Sequence, residues 1–547
     1  MRIYKSSRMG AGILAVICLF SVSAVAQQHV KFSTARVNPK VLSSGGKAWV
    51  FGPQPVGSTQ TAKDVAPTTL APNLSFGNNV DASNPSEDVA GGQSETAIAA
   101  VGSRVMAAWN DASGFLVQPT TGRKASLTGV GFSSDSGRSF VDLVGLPNNN
   151  ANEQWSGDPV VKVIDSSHFI VASLYLPNPA LLIPTMPLPT CATPAPKRFE
   201  IAVSVATVSP TNQVTFTAPI VVANGGNLCT SPKNLALLDK EWMTYDRTSR
   251  TLAVSYTRFF FGLGGQSGNG QIEVKRAHVP TDPTILSSSS FGAPIIVWPE
   301  ESAVVNQGSY VAVAPGGNIY VAWERNWVSN LFNGNPYVYI QAALVPQGLD
   351  AATEGGTADP VVVTSGQINS HNGGVKSLDG VNIAGYNRGI GQDFPRIAFD
   401  PHFGQVLVVW NDASAHPLGD VWLRALSADL DSFFPIHKVN DDSDFVLHFL
   451  PAISIRSDGS IAISWYDRRR FGASSTKTDY FGEIRPSVGT QAADFRITTG
   501  ATDWNGTSTL IIPNFGDYTD NGSSGMTTYF TWSDGRLGVP QPFVSKR

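Results

Sequence analysis

Acids, arginines and tyrosines recur at two offsets in this chain, and those offsets define what chemistry to look for. Just ahead of short apolar strands stand Glu95, Asp158, Asp239, Lys240, Glu241, Asp393, His448, Asp517 and Tyr518. Just behind the following strands stand Asn110, Asp111, Arg258, Glu324, Arg325, Asn411, Asp412, Tyr466, Asp467, Arg468, Asp534 and Arg536. Only 15% of the 547 residues are charged, so this concentration is uneven. Cleaving a glycosidic bond takes two carboxyl groups flanking it. Holding a sugar carboxylate suits arginine, whose planar fork makes two parallel hydrogen bonds. Asp111, Glu241 and Asp467 are therefore candidate catalytic acids. Arg258, Arg325, Arg468, Asp534 and Arg536 are candidate ligand-binding groups. The plainer reading is that each acid caps a strand and each arginine pairs in place.

The elements that position these residues form a repeat. Seven segments, 94–111, 157–175, 240–258, 308–325, 393–412, 449–467 and 516–534, share one pattern. Each has an apolar strand, a short turn, a second apolar strand, then an aromatic followed by polar residues. The anchors are Trp109, Leu174, Tyr256, Trp323, Trp410, Trp465 and Trp532. Period-2 alternation around Gly, Asn or Asp turns, as in VAVAP-GGN-IYVAW, reads as a β-hairpin. Further strands lie between units, such as EVKRAHV (273–279), YVYIQAALV (337–345) and VWLRALSA (421–428). Four antiparallel strands per repeat describe an all-β propeller blade. Seven blades are expected, with six as the alternative. Only QPFVSKR (541–547) follows the last hairpin, so a strand from LSFGNNV (74–80) is expected to close that blade and remove its free edge. The Gly-rich stretch 346–390 reads as a loop insertion on one face. In such a fold both sets of offset residues converge on one mouth of the central channel.

Composition excludes several classes. With 52 Gly and 36 Pro the chain does not suit coiled coils or helical solenoids. A net charge of −4 leaves no electrostatic footprint for nucleic acid. The eight histidines show no His-x-His or His-x-x-x-His spacing, so no metal site is expected from them. NDDSD (440–444) and DYTDN (517–521) could hold Ca²⁺ through oxygens, without EF-hand spacing. No Gly-x-Ser-x-Gly elbow occurs. GLGGQSGNG (262–270) has no helix pattern behind it and reads as a turn.

Residues 1–26 read as a signal peptide. Arg2, Lys5 and Arg8 precede an apolar run that ends in Ala24-Val25-Ala26, so cleavage before Gln27 is expected. Residues 27–70 form a Pro/Ser/Thr-rich segment, and 71–547 the propeller. The expected location is secreted, periplasmic or extracellular, with no membrane span in the mature chain. Cys191 and Cys229 remain after cleavage. In an oxidising compartment they are expected to form one disulfide, worth roughly 3–4 kcal/mol by loop entropy.

Residues 133–140 read SSDSGRSF. Ser133, Asp135, Gly137 and Phe140 match the Asp-box, Ser/Thr-x-Asp-x-Gly-x-x-aromatic, of the bacterial neuraminidase repeat. A decayed copy follows at Ser427, Asp429, Asp431 and Phe434. On these residues and the hairpin repeats the chain resembles the sialidase-like β-propeller superfamily and its secreted, bacterial exo-α-sialidase-like members. The resemblance covers nearly all of 71–547. It implies a structural role for the box, away from any active site. It also implies a protein that binds or processes extracellular glycans, with glycoside hydrolysis of acidic sugars or polysaccharide lysis as the reactions. In such enzymes a Tyr nucleophile is activated by a Glu, which brings in Tyr466 or Tyr518. No cofactor is implied. The early Phe/Tyr-Arg-Ile-Pro string of sialidases is absent; the nearest, Phe394-Pro395-Arg396-Ile397, comes late. A non-catalytic carbohydrate- or protein-binding scaffold is the alternative.

Overall fold

All seven repeated segments fold as antiparallel hairpins. Their inner strands are Gln93–Val101, Val160–Val163, Ala236–Asp246, Asn306–Val313, Arg396–Asp400, His448–Ile455 and Asp520–Ser524. Their second strands are Arg104–Asp111, His168–Pro177, Thr251–Phe260, Ile319–Arg325, Gln405–Asp412, Ile461–Asp467 and Thr527–Asp534. Each hairpin continues outward into a sheet of at least four strands, giving seven sheets and no α-helix among the described residues. The computed structural model is thus a seven-bladed β-propeller. It describes residues 75–547 except 85–91, 113–125, 150–152, 178–199, 227–235, 261–267, 303, 328–336, 350–359, 365–373, 379–382, 388–391, 444, 510 and 512. The leader, residues 27–70 and both Cys191 and Cys229 lie outside the described residues.

Closure uses both ends of the described chain. Asn79–Asp81 pairs antiparallel with Gln541–Lys546, in the register Val80 to Val544 and Asp81 to Phe543. The seventh blade therefore takes its outer strands from before the first. The stretch 346–390 contributes Pro360–Val362 and Val375–Lys376, which both pair with Tyr337–Val345 and edge the fourth blade.

The anchor aromatics wedge between blades. Trp109, Tyr256, Trp323, Trp410, Trp465 and Trp532 are at most 1% exposed. Trp109 packs with Ile98 of its own blade and with Tyr529 and Val544 of the seventh. Gly129 is required beside it, because a Cβ there would lie 2.2 Å from the indole nitrogen. In the second blade Val160 pairs with Ala172, so Ser173 rather than Leu174 stands in the anchor register. Trp155, fully buried against Tyr175 at 5.0 Å, supplies aromatic bulk there instead.

The inner strands carry a repeated irregularity. Register shifts by a bulge between Ser94 and Ala97, Asp239 and Trp242, Gln307 and Tyr310, and Phe449 and Ala452. The bulged residues Glu95, Lys240, Gly308 and Leu450 have φ of 54°, 53°, 68° and 53°, and Asp158, ahead of the second inner strand, has 56°. Non-glycine residues in this region cost energy and mark places where backbone is re-aimed. Glycine is needed at 308, where a Cβ would meet the Phe394 ring at 2.3 Å.

Candidate functional site

Two faces must be distinguished. The loop face is where the chain enters the inner strands and leaves the second ones. The turn face carries the hairpin turns. The turn Ser133–Phe140 lies on the turn face, since Ser136 N–H donates to Ser103 O at 2.8 Å. In it Ser133 Oγ donates to Asp135 Oδ1 (2.8 Å), as do Arg138 and Ser139 N–H (3.0 Å each). Phe140 is buried and Gly137 has φ 73°. Around 427–434 Asp431 stands at the glycine position, Leu430 keeps the positive φ of Ser136 (62° against 65°), and Ser427 and Asp429 keep similar bonds.

On the loop face the predicted ring is taken up by separate partners, in the same blade or the next. Arg258 makes a fork on Glu273 at 2.7 and 3.1 Å. Arg325 does the same on Glu301 at 2.9 and 2.6 Å. Arg536 binds Asp534 and reaches Asn79 and Thr499. Arg468, 1% exposed, donates to Ser475 O, Ala384 O and Thr478 Oγ1, and burial lowers its pKa to about 10. Tyr466 OH donates to Ser533 O at 2.8 Å, and burial holds its pKa well above the usual value. A Trp-x-Asp cap explains several acids. The indoles of Trp410, Trp465 and Trp532 donate to Asp412, Asp467 and Asp534 at 2.7, 2.9 and 2.8 Å. The other oxygen of each Asp accepts the N–H two residues on, at Ser414, Arg469 and Arg536. Asp111 occupies the matching place in the first blade, with Gln93 opposite, but the Trp109 indole N–H makes no such bond there. The arginines singled out from the sequence are thus dispersed among separate partners and do not converge on one anion.

Other predicted residues do converge, on the channel axis. Lys240 Nζ lies 3.1 Å from Glu95 Oε1, 3.1 Å from Asp158 Oδ2 and 2.7 Å from Asp517 Oδ2. The bulges are the cause, since Glu95, Asp158 and Lys240 are the positive-φ residues. All four side chains are at most 3% exposed. Burial, then the Asp158 charge, push the Glu95 carboxyl up to about 8. Asn110 and the Asp517 N–H also donate to Glu95. Glu241 is 2% exposed with neither oxygen hydrogen-bonded; burial and Asp158 raise it well above the carboxylate range. Of the three carboxyl groups on this one buried ammonium, Glu95 is the one raised far enough to hold a proton near neutral pH. Asp239 takes a bond from Gln307, and Asp393 from Asn411 and the Leu378 N–H.

Toward the turn face the channel widens into a cavity of about 570 Å³. Lys162, Trp242, Tyr310, Arg396 and Asp520 line it, with Thr244, Ser454 and Asn521. The Arg396 guanidinium packs on the rings of Trp242 and Tyr310, 4.1 Å from each centroid, and the two rings meet each other at 4.7 Å. Its Nε and Nη2 donate to Pro451 O and Thr519 O, while Nη1 has no hydrogen-bond partner. Lys162 Nζ lies 5.0 Å from the Trp242 ring and 3.9 Å from Asp520 Oδ2. Burial lowers the Lys162 pKa, Asp520 opposes this, and Arg396 adds to it. Cations on aromatic faces with one facing acid make an anion-favouring wall.

The offset reading missed Lys162, Trp242, Tyr310, Arg396 and Asp520. A signal existed in the repeat. Trp242, Tyr310, Arg396 and Asp520 occupy one register position, opposite the residue just before the anchor, where Ala97, Val160 and Ala452 stand in the other blades. Large polar or aromatic residues replacing Ala or Val at one repeat position mark a lined channel.

The fold defines the class: a seven-bladed β-propeller with a polar axis. No family model matches the chain, and no curated protein matches it in sequence. Among solved structures it is similar to the Penicillium chrysogenum α-L-arabinanase, at TM-score 0.41 and 10% identity, over 87% of this chain and 98% of that one. It is similar to the Hadza microbial sialidase Hz136, at TM-score 0.40 and 9% identity, over 77% and 74%. A Trypanosoma rangeli sialidase aligns at TM-score 0.37 and 10% identity, over 73% and 55%. The propeller assignment rests on the strand pairing itself. No helix among the described residues is long and apolar enough to cross a membrane.

Proposed function

We propose that this protein is a secreted β-propeller that binds an extracellular glycan through an acidic sugar, seated in the channel cavity on the turn face. The observation that supports this reading is the Arg396 guanidinium, packed on Trp242 and Tyr310 in the cavity wall, with Lys162 beside it. A guanidinium packed on two rings and hydrogen-bonded to two carbonyls has already lost its rotamer freedom, so with Lys162 it gives an arriving carboxylate a preorganised positive wall. Hydroxyl and amide groups of Thr244, Ser454 and Asn521 suit a polyhydroxylated ligand. Secretion follows from the leader pattern around Arg2, Lys5, Arg8 and Ala24–Ala26.

Hydrolysis is a second reading, favoured by the proton-holding acids Glu95 and Glu241 on the axis. A carboxyl with a raised pKa is what a general acid needs. Binding ranks first because Asp467 and Tyr466 sit in structural places, Asp467 under the Trp465 indole and Tyr466 on the Ser533 carbonyl.

Calorimetric titration of uronic-acid and sialic-acid oligosaccharides tests the first reading. Wild type should bind at least one, and Lys162→Gln should weaken binding by about tenfold or more. No binding by wild type, or equal affinity in the variant, would remove the channel site. Turnover of a fluorogenic sialoside or uronide, abolished by Glu241→Gln, would install the second reading instead.

A further inference from the structure

The histidine spacing gives no metal motif, yet the fold brings His416, Asp420 and His448 together at the seam of the fifth and sixth blades. One donor atom from each lies within 4.8 Å of the others, and all three residues are buried. His416 Nε2 faces Asp420 Oδ2 at 3.3 Å and has no hydrogen-bond partner. Asp420 Oδ1 is taken by Asn440 Nδ2 at 2.8 Å and Lys438 Nζ at 3.2 Å, leaving Oδ2 for the cluster.

His448 is the informative member. Its Nε2 faces two carboxylates, Asp442 Oδ1 at 3.2 Å and Asp467 Oδ2 at 3.4 Å, and a proton belongs there. Its Nδ1 faces two more oxygens, Gly419 O at 3.1 Å and Asp420 Oδ1 at 3.8 Å. A neutral ring has one proton, so one nitrogen is left aiming a lone pair at oxygen lone pairs. Either a second proton or a cation must lie between. A carboxylate holding the outer N–H while the inner nitrogen binds metal is a common second layer around protein metal ions. Ligand atoms around a tetrahedral zinc ion stand about 3.4 Å apart, and the 3.1 Å from His448 Nδ1 to Gly419 O and the 3.3 Å from His416 Nε2 to Asp420 Oδ2 lie close to that value.

We propose that a divalent ion of the zinc class binds between His416 Nε2, Asp420, His448 Nδ1 and the Gly419 carbonyl oxygen. Imidazole and carboxylate donors together select zinc or a neighbouring first-row ion over calcium. The ion ties the loop after Gln405–Asp412 to the start of the sixth inner strand. One contact must yield on loading. The Leu418 N–H now lies 3.3 Å from His416 Nδ1, and Nδ1 must carry the proton once Nε2 binds metal.

The test is zinc titration of the full chain after exhaustive chelation, read by calorimetry and by metal content after gel filtration. Thermal unfolding is followed in parallel. Wild type should take up one zinc per chain and melt several degrees higher when loaded. His416 meets the exposed Phe445 edge-on, and His416→Gln and Asp420→Asn should each abolish uptake while keeping the wild-type circular dichroism. Uptake surviving in both variants, calcium uptake in place of zinc, or no uptake by folded wild type would overturn the proposal. The last of these would leave His448 as a buried imidazolium.

Discussion

Lys240 Nζ lies 2.7 Å from Asp517 Oδ2, joining the third blade to the seventh across the channel axis. Glu95 and Asp158 meet the same ammonium at 3.1 Å, so one lysine ties four blades together. Removing it would leave three buried carboxyl groups without a countercharge. Lys240→Met should cost about 3–5 kcal/mol in chemical denaturation, the usual scale for orphaning buried charge. Adding Glu95→Gln should recover part of the loss. Recovery would not occur if the lysine mattered only as a spacer.

The same cluster fixes a pH dependence. The groups facing Glu95 are Asp158, Lys240, Asn110 and the Asp517 N–H. Burial and Asp158 raise the folded pKa to about 8, above the ordinary 4.5. The folded state therefore binds the proton more tightly than the unfolded chain. This stability is full below pH 4.5 and lost as pH rises toward 8. Glu241 is displaced in the same direction. Melting temperature should fall between pH 5 and 9, and Glu95→Gln should flatten the slope. An unchanged slope in the variant would place the titration elsewhere.

Asp135 accepts hydrogen bonds from Ser133, Arg138 and Ser139 in a turn on the outer part of the first blade. Asp135→Ala should cost about 1–2 kcal/mol, as for a lost capping carboxylate. Affinity for an acidic oligosaccharide should stay within twofold of wild type, as measured by calorimetry beside a denaturation curve.

Arg468 spends its guanidinium on two carbonyls and a threonine hydroxyl of neighbouring loops. Arg468→Ala should lower the melting temperature and leave ligand affinity unchanged. Loss of affinity without loss of stability would return the loop-face ring to the binding site.

Gly308 is bulged with φ 68°, and Phe394 fills the place of its missing side chain. Gly308→Ala should destabilise by more than about 2 kcal/mol, from backbone strain and overpacking together. Urea midpoints give the measurement. Gly404→Ala is the control, with φ 61° but open space around it, and should cost less.

The repeat was legible because hairpin alternation is local. VAVAP-GGN-IYVAW encodes its own turn and register, and seven such units in one chain leave few folds available. Closure was legible for a similar reason: one strand remained at the end, and LSFGNNV could pair with it. The amino-acid order also placed Glu95, Asp158 and Lys240 on a common face, because they share one repeat offset, with Asp517 one residue away from it. What it could not show was which charges would meet. Arg258 and Glu273 sit on adjacent strands and neutralise each other, whereas Glu95 and Lys240 belong to different blades and meet because bulges turn both toward the axis. His416, Asp420 and His448 likewise come from two blades, and their proximity depends on how those blades pack. Strand identity follows from short-range alternation, which the chain carries residue by residue. Charge pairing across the axis depends on inter-blade distance and backbone direction, which exist only once the ring has closed.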